Sequence, residues 1–247
     1  MVVFDSPNRD NSIVSVTDRH SAINQEKTNN NVCLYPERPH VACVFLLDTS
    51  GSMTTNDAIG KLNEGLRVFK EQTINDTSFD EHTKGCIDVA LVSFGPDVKI
   101  QQNFTPVSNM IPPTLTAYGG TPMGAAIDKA LDMITERKAQ YNELGTPFYR
   151  PWIFCITDGY PNDAYKMAAQ RLKKLESEKK VLGFCVGISN YDRNEMLKIF
   201  DPNRIWELEN LNFTALFKYV FDNLTTINGF VEIKVPEDLH LGIDFIW

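Results

Sequence analysis

The sequence lacks any apolar run that approaches the roughly 20 residues needed to span a bilayer. The segment from Met1 to Asp10 carries charges and a proline, whereas a secretory signal requires a continuous apolar stretch. We therefore expect a soluble protein that is not secreted and makes no contact with a membrane.

Paired cysteines are also missing, because the five cysteines form no CxxC motif. Four of them lie in or beside apolar, strand-like runs, where a reduced thiol packs as a small apolar side chain. A reducing, cytoplasmic location fits this use of cysteine best.

Basic charge is scarce, with 24 Lys and Arg residues against 32 Asp and Glu residues and a formal net charge of -8. No local basic stripe offsets this balance, and a phosphate backbone would be repelled. We therefore expect no nucleic-acid partner.

The composition and the hydropathy pattern predict one main domain with an extension at each end. A chain of 247 residues with 43% hydrophobic content can bury a large core. Residues 1–40 are rich in Asn, Ser, Asp and Thr and predict a polar N-terminal extension. The main domain is expected at 41–228, and the alternating pattern at 229–247 predicts a β-like C-terminal extension.

Strand-like and helix-like segments alternate within the main domain. Helical periodicity begins near Ile59, Met123, Ala164 and Phe213. The pattern predicts an α/β fold with a doubly wound, mostly parallel, Rossmann-like sheet, one antiparallel edge strand at 97–104 and helices on both faces. The other predicted strands are 41–47, 87–94, 152–157, 181–188 and 204–208. In such sheets ligands bind at the carboxyl ends of the strands.

The first predicted strand runs directly into the loop Asp48-Thr49-Ser50-Gly51-Ser52-Met53. Alternate residues of an extended turn point the same way, so Asp48, Ser50 and Ser52 can converge on one point. Hard oxygen ligands of this kind suit Mg²⁺, Mn²⁺ or Ca²⁺, and the absence of clustered His or Cys argues against zinc. A simple helix cap would give the same local pattern.

Two later loops add a hydroxyl and a carboxylate. Thr121 follows Gly119-Gly120 and precedes a predicted helix, which it could simply cap with Pro122 in the first turn. Asp158 follows the strand at 152–157 in an Asp-Gly pair, which is commonly only a turn.

Taken together, these residues resemble the metal-ion-dependent adhesion site of von Willebrand factor A domains. Asp48-x-Ser50-x-Ser52 follows an apolar strand, Thr121 precedes a helix and Asp158 follows a later strand, in the order of that family. The strand order and spacing agree with the family over residues 41–228. Residues 119–123 and 158–163 are similar to the bacterial intracellular branch that includes the tellurite-resistance (TerY-type) proteins.

The resemblance implies a role for each of the five residues. Ser50 and Ser52 would bind the cation directly, Thr121 directly or through water, and Asp48 and Asp158 largely through water. The cation would be Mg²⁺, with Mn²⁺ or Ca²⁺ possible, and an Asp or Glu of a protein partner would complete its coordination. The family implies a non-enzymatic binding module, here in a bacterial stress-response system.

Three other readings stay open at this point. A scaffold module could bind through its N-terminal arm or its aromatic tail, which ends in Phe245 and Trp247. The arm could instead donate a carboxylate to the metal in cis, from Asp5, Asp10 or Glu37.

The third reading is a Mg²⁺-dependent phosphohydrolase of the haloacid dehalogenase type. Such enzymes need a second Asp two residues after the first, and Ser50 occupies that position. The sequence also shows no Ser-His-Asp set and no phosphate-binding loop followed by Lys. The four histidines are distant from the motif loops and are expected at the surface: His20, His40, His82 and His240.

Overall fold

The computed structural model describes residues 33–77, 80–188 and 191–225. Six strands form one sheet in the order β3-β2-β1-β4-β5-β6. All neighbouring strands are parallel except β2 and β3, which are antiparallel. The strands are β1 Val41–Asp48, β2 Ile87–Phe94, β3 Val98–Pro106, β4 Trp152–Thr157, β5 Leu182–Ile188 and β6 Ile205–Leu208. The predicted doubly wound sheet with one antiparallel edge strand is confirmed.

Six α-helices connect and cover the strands of the described chain. They are α1 Ala58–Asn75, α2 Glu81–Gly85, α3 Met123–Leu144, α4 Lys166–Ser177, α5 Arg193–Ile199 and α6 Phe213–Thr225. Short 3₁₀ turns lie at Gly51–Asp57, Val107–Asn109, Pro202–Arg204 and Glu209–Leu211. No helix in these residues is both long enough and apolar enough to cross a bilayer.

The central strand β1 is buried along its whole length because helices cover both faces of the sheet. Its alternate side chains belong to two separate cores, as the two-residue period of a strand requires. Cys43, Phe45 and Leu47 belong to the core that includes α1 and α6. Val44 and Leu46 belong to the core that includes α3, α4 and α5.

Phe45 lies at the centre of an aromatic cluster on the first of these faces. Its ring centroid is 5.6 Å from that of Phe154 on β4, 5.2 Å from that of Phe217 on α6 and 6.3 Å from that of Phe69 on α1. Burial of one such side chain stabilises the fold by about 1.5–3 kcal/mol. The cluster therefore joins two strands and two helices into one core.

His40 is fully buried, so the expectation that it lies at the surface is wrong. Its Nδ1 lies 2.9 Å from Oδ2 of Asp88, an oxygen that Arg137 Nη2 approaches to 3.0 Å and to which the Tyr141 hydroxyl donates. A buried carboxylate requires such partners, and His40 supplies one of them from the residue before β1. His82 is exposed as expected, and His20 and His240 lie outside the described residues.

The predicted extensions fall mainly outside the described residues, which begin at Cys33 and end at Thr225. The boundaries at 40 and 228 therefore stay predictions. Within the domain, the helix expected near Ala164 begins at Lys166.

Candidate metal centre

The candidate site lies where the strand order reverses. β1 is hydrogen-bonded to β2 on one side and to β4 on the other, so the connections from β1 and β4 leave the sheet in opposite directions. Such a switch point opens a crevice at the carboxyl ends of the strands. Asp48 is the last residue of β1, and Asp158 directly follows β4.

Hydrogen bonds link the loop after β1 to the loop after β4. The Ser50 backbone N–H donates to Asp48 Oδ1 at 2.8 Å, and the Ser50 and Ser52 hydroxyl oxygens are 3.0 Å apart. The Ser52 hydroxyl then donates to Asp158 Oδ1 at 2.7 Å. The structure thus brings four of the five predicted residues into one chain of contacts.

Thr121 joins this group through its position beside Gly159. A methyl group added at Gly159 would lie 3.2 Å from Asp48 Oδ2 and 3.2 Å from Thr121 Oγ1. Both oxygens therefore face the same small volume, which a side chain at residue 159 would fill. Glycine at this position avoids that close contact.

Thr121 does not cap the following helix, so that part of its expected local role is wrong. Helix α3 begins at Met123, its N-cap residue is Pro122, and no side chain caps it at that position. The free amides of Gly124 and Ala125 are instead bound by the carboxylate of Asp163, at 3.0 and 2.9 Å. The start of α3 is thus satisfied by a distant residue rather than by Thr121.

The site is closed at its base and open at its mouth. Asp48, Ser50 and Thr121 are 0%, 2% and 6% exposed. Asp158 is half-buried, and Ser52 is exposed. A ligand would reach the buried oxygens past Ser52 and Asp158.

Both carboxyl groups carry raised pKa values. Burial raises the pKa of Asp48 to about 6, although hydrogen bonds from Ser50 and Thr157 oppose the shift, and the charge of Asp158 adds to it. Burial also raises the pKa of Asp158, against the hydrogen bond from Ser52. Neither carboxylate forms an ion pair within the described residues.

These residues fit a hard divalent cation. Two neighbouring carboxylates without a cationic partner and three hydroxyls offer hard oxygen ligands and a negative charge that an ion would offset. Residues 33–77, 80–188 and 191–225 contain no group of three or more His, Cys, Asp or Glu side chains placed to hold a metal. A metal at this position would therefore depend on the hydroxyl ligands as well as the carboxylates.

Three residues of the site were missed by the sequence interpretation. Thr157 donates its hydroxyl to Asp48 Oδ2 at 2.5 Å, and its oxygen accepts from the Gly159 N–H at 3.0 Å. Asn162 binds the loop that carries Thr121, and Asp163 binds the first turn of α3. All three lie in or beside the Asp158 segment. Apart from Gly159, their partners are too far away in the sequence for any local pattern to reveal.

Gly119 allows the loop that precedes α3 to pack closely against the loop that follows β1. Gly119 has φ +82°, and its carbonyl accepts from the Gly51 N–H at 3.1 Å. A side chain at Gly119 would lie 2.7 Å from the Pro96 nitrogen. Only glycine combines this left-handed conformation with so close an approach.

Solved structures with the same fold include adhesive and matrix proteins. The von Willebrand factor domain of the type V pilus tip protein Mfa5 from Porphyromonas gingivalis matches with a TM-score of 0.52 and 12% identity, over 81% of this chain and 98% of that chain. The pilus adhesin SpaC from Lactobacillus rhamnosus GG matches with a TM-score of 0.56 and 14% identity, over 76% of this chain and 31% of that chain.

A third similar structure is proximal thread matrix protein 1 from the mussel byssus, described with a zinc-occupied metal-ion-dependent adhesion site. It matches with a TM-score of 0.51 and 16% identity, over 78% of this chain and 47% of that chain. The chain thus spans about half the length of the mussel protein. Identities this low show the shared fold alone.

No curated protein matches the sequence. The profile of the von Willebrand factor type A domain matches residues 43–219, which is most of the chain and includes all five candidate residues. The protein therefore belongs to the von Willebrand factor type A domain family.

Proposed function

We propose that this protein is a cation-dependent protein-binding module. Asp48, Ser50, Ser52, Thr121 and Asp158 would hold one divalent ion, and an Asp or Glu of a partner protein would bind to it. The observation that carries the proposal is the linkage of two carboxylates through Ser50 and Ser52 at the switch point of the sheet, where the described residues place no cationic side chain in an ion pair with either carboxylate. The bound ion would supply a positive charge to which the partner's carboxylate binds.

Mg²⁺ is the ion we favour, with Mn²⁺ and Ca²⁺ as alternatives, because all five side chains offer hard oxygen ligands. The zinc-occupied site described for the mussel protein makes Zn²⁺ a necessary fourth ion in any comparison. A catalytic role is not part of the proposal, since Ser50 stands where a phosphohydrolase needs an acid/base carboxylate.

The cellular setting is proposed from the sequence and from the state of the cysteines. All five cysteines are free thiols, which favours a reducing, cytoplasmic compartment. The segments at 119–123 and 158–163 favour a bacterial stress-response role similar to that of the tellurite-resistance branch.

Isothermal calorimetry of the four ions into EDTA-treated protein tests the metal site. We expect one-site binding that Asp48→Ala and Asp158→Ala abolish. The matched control is Asp132→Ala, because Asp132 lies on α3 in an exposed ion pair with Arg171. Metal binding that survives both site substitutions would refute the assignment.

Selection of a displayed peptide library against the protein in Mg²⁺ tests the mode of partner binding. Selected peptides should be enriched in Asp or Glu and should be released by EDTA and by Asp48→Ala. Peptides that stay bound under both conditions, and are lost when residues 1–32 or 229–247 are removed, would favour binding through the arm or the tail.

A further inference from the structure

Asn162 forms hydrogen bonds with both the backbone N–H and the backbone carbonyl of Thr121. Its side-chain Oδ1 accepts from the Thr121 N–H at 3.0 Å, and its own N–H donates to the Thr121 carbonyl at 3.1 Å. These two bonds attach the loop that follows β4 to the loop that precedes α3. Both loops carry residues of the candidate metal centre, Asp158 and Thr121.

Asp163 makes a second attachment, at the start of α3. Its two carboxylate oxygens accept from the N–H groups of Gly124 and Ala125 at 3.0 and 2.9 Å. The first amides of a helix have no partner within the helix, and a carboxylate there is also favoured by the helix dipole. A residue about 40 positions further along the chain thus caps a helix that has no local side-chain cap.

Two glycines make this close packing possible. A side chain at Gly120 would lie 2.2 Å from Asn162 Nδ2, and one at Gly124 would lie 2.5 Å from the Tyr165 Cα. A side chain at either position would push the two loops apart. The contact therefore depends on Asn162 and Asp163 on one side and on small residues at positions 120 and 124 on the other.

We propose that Asn162 and Asp163, here called the 162–163 clamp, are positioning residues that set the spacing between Thr121 and Asp158 and so determine the metal affinity of the site. This inference rests on the proposed function, because it presupposes that the site binds a cation. An ion requires its ligands within a few tenths of an ångström of fixed positions. If the clamp fixes the two loops during folding, less conformational freedom is lost when the ion binds.

The test compares clamp variants with a matched helix-cap variant. Asp163→Ala and Asn162→Ala remove the two attachments separately, and Asp163→Asn keeps one acceptor oxygen. The control is Asp80→Ala, since Asp80 caps α2 by accepting from the Thr83 N–H at 2.7 Å. Helix α2 precedes β2 at the amino edge of the sheet, away from the site.

Calorimetry with Mg²⁺ at a temperature where every variant is folded should show a Kd about 10- to 100-fold weaker for Asp163→Ala and Asn162→Ala. Asp163→Asn should fall between wild type and Asp163→Ala, and Asp80→Ala should bind with wild-type affinity. Hydrogen exchange of the Thr121 amide in metal-free protein should be faster in Asn162→Ala. Thermal unfolding in EDTA reports the stability lost by each variant.

The outcomes separate this inference from the proposed function. If wild-type protein binds none of the ions, the proposed function fails, and the clamp proposal fails with it. If wild type binds Mg²⁺ and the folded clamp variants bind it equally well, the clamp proposal is overturned and the proposed function stands, whether or not the Thr121 amide exchanges faster. Should any variant unfold, Gly120→Ala perturbs the same contact from the opposite loop and is expected to weaken binding in the same range.

Discussion

Acidification of the metal-free protein from pH 7 to pH 5 should raise its free energy of unfolding through Asp48. Burial raises the pKa of this fully buried carboxyl group from 3.8 to about 6. The folded state therefore binds the proton more tightly than the unfolded state does. The resulting stabilisation is fully present below pH 3.8 and is lost as the pH rises through about 6.

The size of the effect follows from the shift. One pKa unit corresponds to about 1.4 kcal/mol, so a shift of about two units is worth about 3 kcal/mol in total. Integration of the proton linkage between pH 7 and pH 5 assigns about 1.3 kcal/mol of this to that interval. The remainder appears at lower pH.

Urea unfolding in EDTA at pH 5, 6 and 7 measures this contribution when wild type is compared with Asp48→Asn. The asparagine is neutral at every pH and keeps an oxygen to accept from the Ser50 N–H. Titrating groups that do not interact with Asp48 cancel in the difference, whereas the coupling to Asp158 is part of the effect that is measured. Between pH 7 and pH 5, the free energy of unfolding of wild type should rise by about 1.3 kcal/mol relative to that of Asp48→Asn.

A difference that stays constant over this interval, or that changes in the opposite direction, would refute the argument from burial. With saturating Mg²⁺ the trend should reverse for wild type, because a bound cation favours the ionised carboxylate. The stabilisation by Mg²⁺ should therefore shrink as the pH falls from 7 to 5.

Three further substitutions, each measured by urea unfolding at pH 7, test the aromatic cluster around Phe45, the contacts of buried Asp88 and the loop that carries Gly119. Phe45→Ala should lower the free energy of unfolding by about 3–5 kcal/mol through loss of the central ring, and a loss below about 1 kcal/mol would contradict its central place. His40→Ala should cost about 3–5 kcal/mol because it removes one partner of buried Asp88, and near-wild-type stability would show that the other partners suffice. Gly119→Ala should destabilise by more than Gly145→Ala, since both have positive φ but a side chain at Gly145 meets no atom within 4 Å; equal losses would show that the contact at Gly119 is unimportant.

The central strands of the sheet could be predicted from the sequence because they are buried on both faces. Continuous apolar runs mark such strands, and the predicted segments at 87–94 and 152–157 coincide with β2 and β4. The helices α2 and α5 were not predicted. They have five and seven residues, which is too short for an apolar stripe to repeat.

The clustering of Asp48, Ser50 and Ser52 could be predicted because their pattern is local. Asp48, Ser50 and Ser52 alternate directly after a strand, and the fold fixes which edge of the sheet they reach. The interaction of Thr121 with Asn162 could not be predicted in this way. It joins residues 41 positions apart, and only the packing of two loops brings them together.

The two edges of the sheet show why buried carboxylates alone do not mark a functional site. Asp88 and Asp48 are both 0% exposed and lie on adjacent strands. At the amino edge, Asp88 contacts His40, Arg137 and a tyrosine hydroxyl, so protein cations balance its charge. At the carboxyl edge, the described contacts of Asp48 are hydrogen bonds from the Ser50 backbone and side chain and from the Thr157 hydroxyl, and the charge of Asp158 helps to raise its pKa. A buried negative charge that the fold leaves unbalanced favours a cation from solution. This difference between the edges supports a structural role for Asp88 and is consistent with the ion binding that we propose at Asp48.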